Sequence, residues 1–187
     1  MSTDMKDMLF EKRLTSEGKF SGKIVKIEVD TVELANGNTA YREVVRKNGG
    51  VCVVALTDDD KVILVNQFRY PYAQVIKEVP AGKLEANEDP LECGKRELSE
   101  ETGYEAEKYI SLGVFYPSPG IMDEVLYMYL ATGLKRGNIH LDEDEFLTSE
   151  EVPLEDAVNM ILRGEIPDGK TQTAILKAWA MKKSGEI

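Results

Sequence analysis

Gly82-Lys-Leu-Glu-Ala-Asn-Glu88-Asp-Pro-Leu-Glu-Cys-Gly-Lys-Arg96-Glu97-Leu-Ser-Glu100-Glu101-Thr-Gly103-Tyr104 is the stretch from which the rest of the chain is best read. Asp89-Pro90 predicts a helix start, with Asp as the cap and Pro at the first helical position, and Gly103 is placed to stop it. At about 100° per residue, Leu91, Leu98 and Thr102 share one face, with Gly94 and Lys95 at its edges, and this face is expected to pack on a sheet. Glu97, Glu100 and Glu101 gather on another, within an arc of about 100°.

That gathering works against the helix. Like charges three and four residues apart repel by roughly 0.2–0.5 kcal/mol per pair. All three also stand in the last two turns, where the helix dipole disfavours an anion by about 0.3–1 kcal/mol. Two readings account for it: carboxylates converging on a hard divalent cation, which prefers oxygen ligands, or a solvated acidic face on an acidic protein. The helix alone leaves both open.

The surroundings are those of a mixed domain. The 187 residues suit one domain of ordinary size with room for a small appended unit, and a 42% hydrophobic fraction suffices for a core. A net charge of −11 opposes nonspecific nucleic-acid binding but permits a small anionic ligand when divalent cations lie between. Cys52 and Cys93 lack any CxxC or Cys/His pattern and read as reduced, buried thiols. His140 is the only histidine, which argues against a histidine triad or a multi-histidine metal site. Residues 1–12 alternate acids and bases without an apolar run, and no segment reaches membrane-spanning length, so a cytoplasmic protein is expected.

Residues 20–47 read as β structure, with a tight turn at Ala35-Asn-Gly-Asn38. After Gly49-Gly50, the run Val51-Cys-Val-Val-Ala-Leu56 has the continuous apolar character of a strand buried on both faces. The break at Gly49 predicts a β-rich N-terminal unit over 1–48 and a main domain over 49–187. Two amphipathic helices, Leu154 to Arg163 and Lys170 to Lys183, close the chain. Mostly antiparallel strands with three helices give an α/β (α+β) class, an α/β/α sandwich with a mixed sheet.

The spacing of the opening stretch resembles the 23-residue Nudix box without a gap: Gly82, Glu88, Arg96-Glu97-Leu98, Glu100-Glu101 and Gly103 all fall in place. Only Tyr104 stands where an aliphatic residue is commoner. The resemblance implies a Nudix hydrolase that binds Mg²⁺, with Mn²⁺ as a substitute. Glu97, Glu100, Glu101 and the carbonyl of Ala81 would be the metal ligands, and Arg96 would orient Glu97 or a neighbouring carboxylate. Glu88 would be a stabilising partner of the helix start.

The flanks narrow the resemblance. Asn66-Gln-Phe-Arg69-Tyr-Pro71 and Glu78-Val-Pro-Ala81-Gly-Lys-Leu-Glu85 are similar to stretches of ADP-ribose pyrophosphatases, and Pro119 follows Gly103 by 16 residues, a subgroup marker. By this resemblance Arg42 and Arg69 would contact phosphates or the terminal ribose, since a guanidinium offers paired donors to phosphate. Glu78, Pro119 and Glu124 would join them as substrate-binding residues. In the acidic run 142–145, Glu145 or Glu143 would activate water. One departure stands out: Lys47-Asn48-Gly49-Gly50 replaces the His-Pro-Gly-like turn common in the family. The implied activity is hydrolysis of ADP-ribose to AMP and ribose 5-phosphate, in a homodimer. The alternatives are a nucleotide-sugar pyrophosphatase acting, for instance, on GDP-mannose, and a non-catalytic ADP-ribose sensor.

Overall fold

A computed structural model of the protein describes residues 5–138, 140–141 and 146–187. The chain divides into two compact units, Met1–Asn48 with Ser118–Glu124 and Gly49–Pro117 with Val125–Ile187.

The first unit has a short helix α1 (Met5–Leu9) and three strands, β1 (Lys12–Ser21), β2 (Val25–Glu33) and β3 (Thr39–Lys47), in an antiparallel sheet ordered β1-β2-β3. Between β2 and β3 the chain turns through Gly37 at φ +82°, and the Leu34 N–H donates to the Asn38 carbonyl. The sequence reading begins β structure at residue 20 and so misses β1. All ten residues of β1 are exposed. With no face to bury, nothing selects an apolar alternation, and β1 is specified by its ladder to β2 alone. Among the described residues Val32 is the only buried apolar side chain of this unit.

The second unit contains β4 (Gly50–Ala55), β5 (Lys61–Arg69), β6 (Gln74–Glu78), β7 (Ala81–Lys83), α2 (Pro90–Thr102), β8 (Tyr104–Phe115), β9 (Leu126–Arg136), β10 (Leu147–Pro153), α3 (Leu154–Leu162) and α4 (Gly169–Ser184). One sheet runs β7-β4-β9-β8 and another β10-β5-β6. β4 and β9 pair in parallel, while β7, β8 and the second sheet pair antiparallel.

Every residue of β4 is buried, as expected of a strand covered on both sides. The pleat divides them. Cys52 and Val54 join Leu64, Met128 and Leu130 in a core with Ala157 and Val158 of α3 and Ala174, Ile175 and Ala178 of α4. Val51, Val53 and Ala55 face the other way, against Cys93 and Leu98 of α2. Each fully buried Leu, Ile or Val contributes about 1.5–3 kcal/mol of apolar transfer free energy. The two cores clamp the sheet, and α2 holds its position because its apolar stripe is one half of that clamp. The architecture is the expected α/β/α sandwich.

The stripe itself differs from expectation. Cys93, Gly94, Glu97, Leu98, Glu101 and Thr102 are the buried residues of α2, whereas Leu91 is half-buried and Lys95 exposed. Burial is therefore rotated toward the glutamates, because β7 covers that flank as well. Among the described residues no helix is long and apolar enough to cross a membrane.

Candidate active site

The helix presents its carboxylates to the β7 segment that precedes it. Its start is fixed by Asp89, which accepts from the Leu91 N–H at 2.9 Å, and its end by Gly103 at φ +70°, a left-handed conformation that glycine adopts without strain. Between these stops Glu97 and Glu101 are 8% and 2% exposed, so two of the three glutamates of the acidic face are taken from water. Burying a carboxylate demands partners. The Glu101 carboxylate accepts from the Ala81 N–H at 3.0 Å. Glu97 lies 2.9 Å from the Arg96 guanidinium, and the same Nη1 donates to Glu100 at 2.9 Å.

Gly82 explains how Glu97 comes so close. A Cβ at this position would fall inside the Glu97 carboxylate. β7 thus offers a side-chain-free cradle in which a carboxylate rests directly on the backbone.

Arg96 is the local hub. Besides Glu97 and Glu100, it donates from Nε to Glu88 at 2.9 Å and from Nη2 to Glu88 at 3.2 Å. The Arg96 hydrogen bonds outweigh partial burial and hold the Glu88 carboxyl down at about 2. Glu88 also accepts from the Glu85 N–H at 2.9 Å, which ties the loop ahead of α2 to the helix. Burial pushes the nearby Cys93 thiol up to about 12, which favours its protonated form.

Among the described residues, no group of three or more His, Cys, Asp or Glu side chains converges closely enough to hold a metal ion. Here the three glutamates are instead spread over the Arg96 guanidinium and the Ala81 amide. The set nevertheless suits a hard cation: three carboxylates lie on one helix flank, two of them buried, beside β7, whose only glycine admits a carboxylate to the backbone.

A second charged cluster lies in the same unit. Arg69, at the end of β5, donates from Nε and Nη2 to the two oxygens of Glu78, both at 2.6 Å. Glu78 is 2% exposed. Its burial pushes the carboxyl up, and the hydrogen bonds and charges of Arg69 and Lys170 overcome this and hold it below the usual value. Lys170, in the first turn of α4, bonds Glu78 and also Asp168 at 2.9 Å. Lys170 and Asp168 were not singled out by the sequence. The available signal was a lysine in the first turn of a helix, where the dipole disfavours cations.

The remaining candidates belong to the first unit. Arg42 donates from Nε and Nη2 to Glu11 at 2.8 and 2.5 Å. Pro119 is exposed, in the segment where Ser118 accepts from the Ile121 and Met122 N–H groups. Glu124 is buried and pairs with Lys47 at 2.5 Å. Glu143 and Glu145 lie outside the described residues.

The chain resembles known proteins over most of its length. The NUDIX domain family matches residues 46–173. The chain is 47% identical over 167 residues to the methanol dehydrogenase activator of Bacillus methanolicus, covering 88% of this chain and 90% of that one. It is 46% identical over 169 residues to the ADP-ribose pyrophosphatase of Bacillus subtilis strain 168, covering 89% and 91%. A GDP-mannose pyrophosphatase of Yersinia enterocolitica is 35% identical over 161 residues, 80% of this chain and 83% of that one. Among solved structures, an ADP compounds hydrolase superposes with a TM-score of 0.82 at 20% identity, over 95% of this chain and 97% of the other, and shares the fold.

Proposed function

The chain belongs to the Nudix family, and from that premise we propose that it is a divalent-metal-dependent pyrophosphohydrolase that cleaves ADP-ribose to AMP and ribose 5-phosphate. The observation that carries the catalytic part is the unbroken set Glu97, Glu100 and Glu101 on one flank of α2, against the Gly82 cradle. The substrate rests on the relatives named ADP-ribose pyrophosphatase, from B. subtilis at 46% identity and Mycobacterium tuberculosis at 34%.

In this reading Glu97, Glu100, Glu101 and the Ala81 carbonyl would hold Mg²⁺, with Mn²⁺ as a substitute. When bound, the metal neutralises the diphosphate and lowers the pKa of coordinated water. Arg96 keeps the carboxylates apart and oriented through its Glu97 and Glu100 contacts. Arg69, with Glu78 behind it, would be the contact of the second unit for the anionic and ribose parts of the ligand, and Arg42, Pro119 and Glu124 are the candidate contacts of the first unit. Glu145 or Glu143 takes the proton from the attacking water, and AMP and ribose 5-phosphate leave.

The reading includes a homodimer in which the N-terminal unit, residues 1–48, supplies the contact surface. Its support is the wholly exposed β1, with Leu14 and Phe20 among its side chains. Light scattering that returned a fully active monomer would overturn it. A cytoplasmic setting accords with two buried, unpaired cysteines.

Two further readings have observations of their own. The Yersinia relative makes nucleotide sugars such as GDP-mannose the competing substrate class. The B. methanolicus relative is named for activating another enzyme, which gives a role exerted on a partner protein. The full set of box glutamates favours catalysis over pure sensing. The deciding assay is a panel of ADP-ribose, GDP-mannose, ADP-glucose, FAD, NADH and diadenosine polyphosphates with Mg²⁺, scored by phosphomonoester release. ADP-ribose is expected to give the highest kcat/KM. A higher value for GDP-mannose would move the assignment to the nucleotide sugars.

A further inference from the structure

Behind Arg69 lies a buried relay that the box does not include. The Thr171 hydroxyl accepts from the Val79 N–H at 2.9 Å and donates to Asp168 at 2.5 Å. The same Asp168 oxygen accepts from Lys170 at 2.9 Å, and Lys170 also donates to the Glu78 oxygen that Arg69 Nη2 uses. The Lys170 side chain is 11% exposed and that of Glu78 3%.

A buried ammonium in the first turn of α4 opposes the helix dipole and loses its hydration. Capping does not require it, because Asp168 already accepts the Thr171 N–H at 3.0 Å. What the lysine alone supplies is a bridge between two carboxylates, one on α4's cap and one at the end of β6.

We infer that Lys170 is a positioning residue for ligand binding: it anchors Glu78 so that both Glu78 oxygens hold the Arg69 guanidinium in one orientation. The inference rests on the reading of Arg69 as a ligand contact of a nucleotide hydrolase. Without Lys170, Glu78 and Asp168 stand close together with Arg69 as the one remaining cation of the cluster. Arg69 is then drawn toward the carboxylates, and the site gains a negative charge where an anionic ligand must bind. Both consequences weaken ligand binding, and the cluster reaches α2 through the charge of Arg69, which is felt at Glu101.

The test compares the full-length wild type with Lys170→Met and Lys170→Arg. Steady-state kinetics on the panel nucleotide that wild type hydrolyses best, thermal unfolding, and Mn²⁺ affinity without nucleotide, read from the paramagnetic resonance of the free aqueous ion, are measured for each. The Met variant is expected to raise KM about tenfold or more, with kcat within about threefold and Mn²⁺ affinity equal to or above that of wild type, since a cation leaves the neighbourhood of Arg69 and Glu101. The Arg variant, which keeps the charge, is expected to return KM to within about threefold of wild type. If the Met variant does not fold, Lys170→Gln, which retains a donor, carries the same comparison. An unchanged KM with a lowered melting temperature would reduce Lys170 to a helix staple and overturn the inference alone. A loss of Mn²⁺ affinity matching the rise in KM would overturn it too. A wild type inert on every nucleotide of the panel would instead bring down the functional reading on which the inference rests.

Discussion

Helices α2 and α4 have the same ends and opposite charges. Each begins at an aspartate whose carboxylate accepts first-turn N–H groups, Asp89 and Asp168, and each ends at a left-handed glycine, Gly103 and Gly185. In its last turn α4 carries Lys182 and Lys183, which suit the negative pole of the helix, and it pairs them with Asp60 at 2.8 Å and Glu155 at 2.6 Å. The last turn of α2 carries no basic residue, and its Glu101 is nearly inaccessible to solvent. Caps answer to the backbone, which needs the same thing at every helix end. Charges answer to what the helix is for. α4 relieves its dipole, whereas α2 bears an unfavourable arrangement, for which the proposed cation site would account.

The comparison can be broken most directly at Glu101. Replacing it by Gln removes a carboxylate from the metal set while leaving an oxygen to accept the Ala81 N–H, so turnover at saturating Mg²⁺ should fall by about 100-fold or more. The melting temperature should hold or rise, since an anion leaves the negative end of a helix. Near-normal turnover would show that α2's charges are a solvated face after all.

Gly82→Ala attacks the same set from β7. The new methyl group displaces the Glu97 carboxylate, and turnover should drop about tenfold or more. The accompanying overpacking should cost about 1–3 kcal/mol in a denaturant titration. If activity survives intact, the cradle is not what places Glu97.

Glu88 sharpens the comparison by pH. Its folded-state value of about 2 lies below the ordinary 4.5, so its contribution to stability is complete above 4.5 and is lost as pH falls through 2. Glu88→Gln should therefore be less stable than wild type at neutral pH, and the gap should close between 4.5 and 2. Unfolding midpoints across that range measure it; a gap that persists at pH 2 would rule out the Arg96 pairing as its source.

The smallest effect belongs to α4. Changing Lys182 and Lys183 to Gln should cost about 0.3–1 kcal/mol per residue, diminishing with salt, and leave kcat unchanged. A large loss of turnover would mean that α4's charges serve chemistry too.

Much of this was legible in the chain. Cap residues announced α2, the 3.6-residue apolar period announced α3 and α4, and six consecutive apolar residues, 51–56, announced β4. These signals are local, each written within a dozen residues. β1 was not legible, because a strand with both faces in water exerts no selection for alternation. The burial of Glu97 and Glu101 was also missed: a helical projection knows the packed face but not the short strand β7 covering its flank. Lys170 meets Glu78 across 92 residues, and no spacing rule reaches that far. The same holds for Ser118–Glu124, which packs with the first unit although its neighbours in sequence belong to the second.

The parallel pairing of β4 with β9 carries a consequence for biosynthesis. Gly50 finds its partner in Leu126, so the centre of the sheet cannot form until the ribosome has delivered roughly 75 further residues. At about 5–20 residues per second that interval lasts on the order of 4–15 s. Throughout it, Val51-Cys-Val-Val-Ala55 is an extended apolar segment with one edge unprotected, a natural binding site for a chaperone and a natural seed for aggregation. The strand that anchors the finished enzyme is thus its most vulnerable part while the chain is being made.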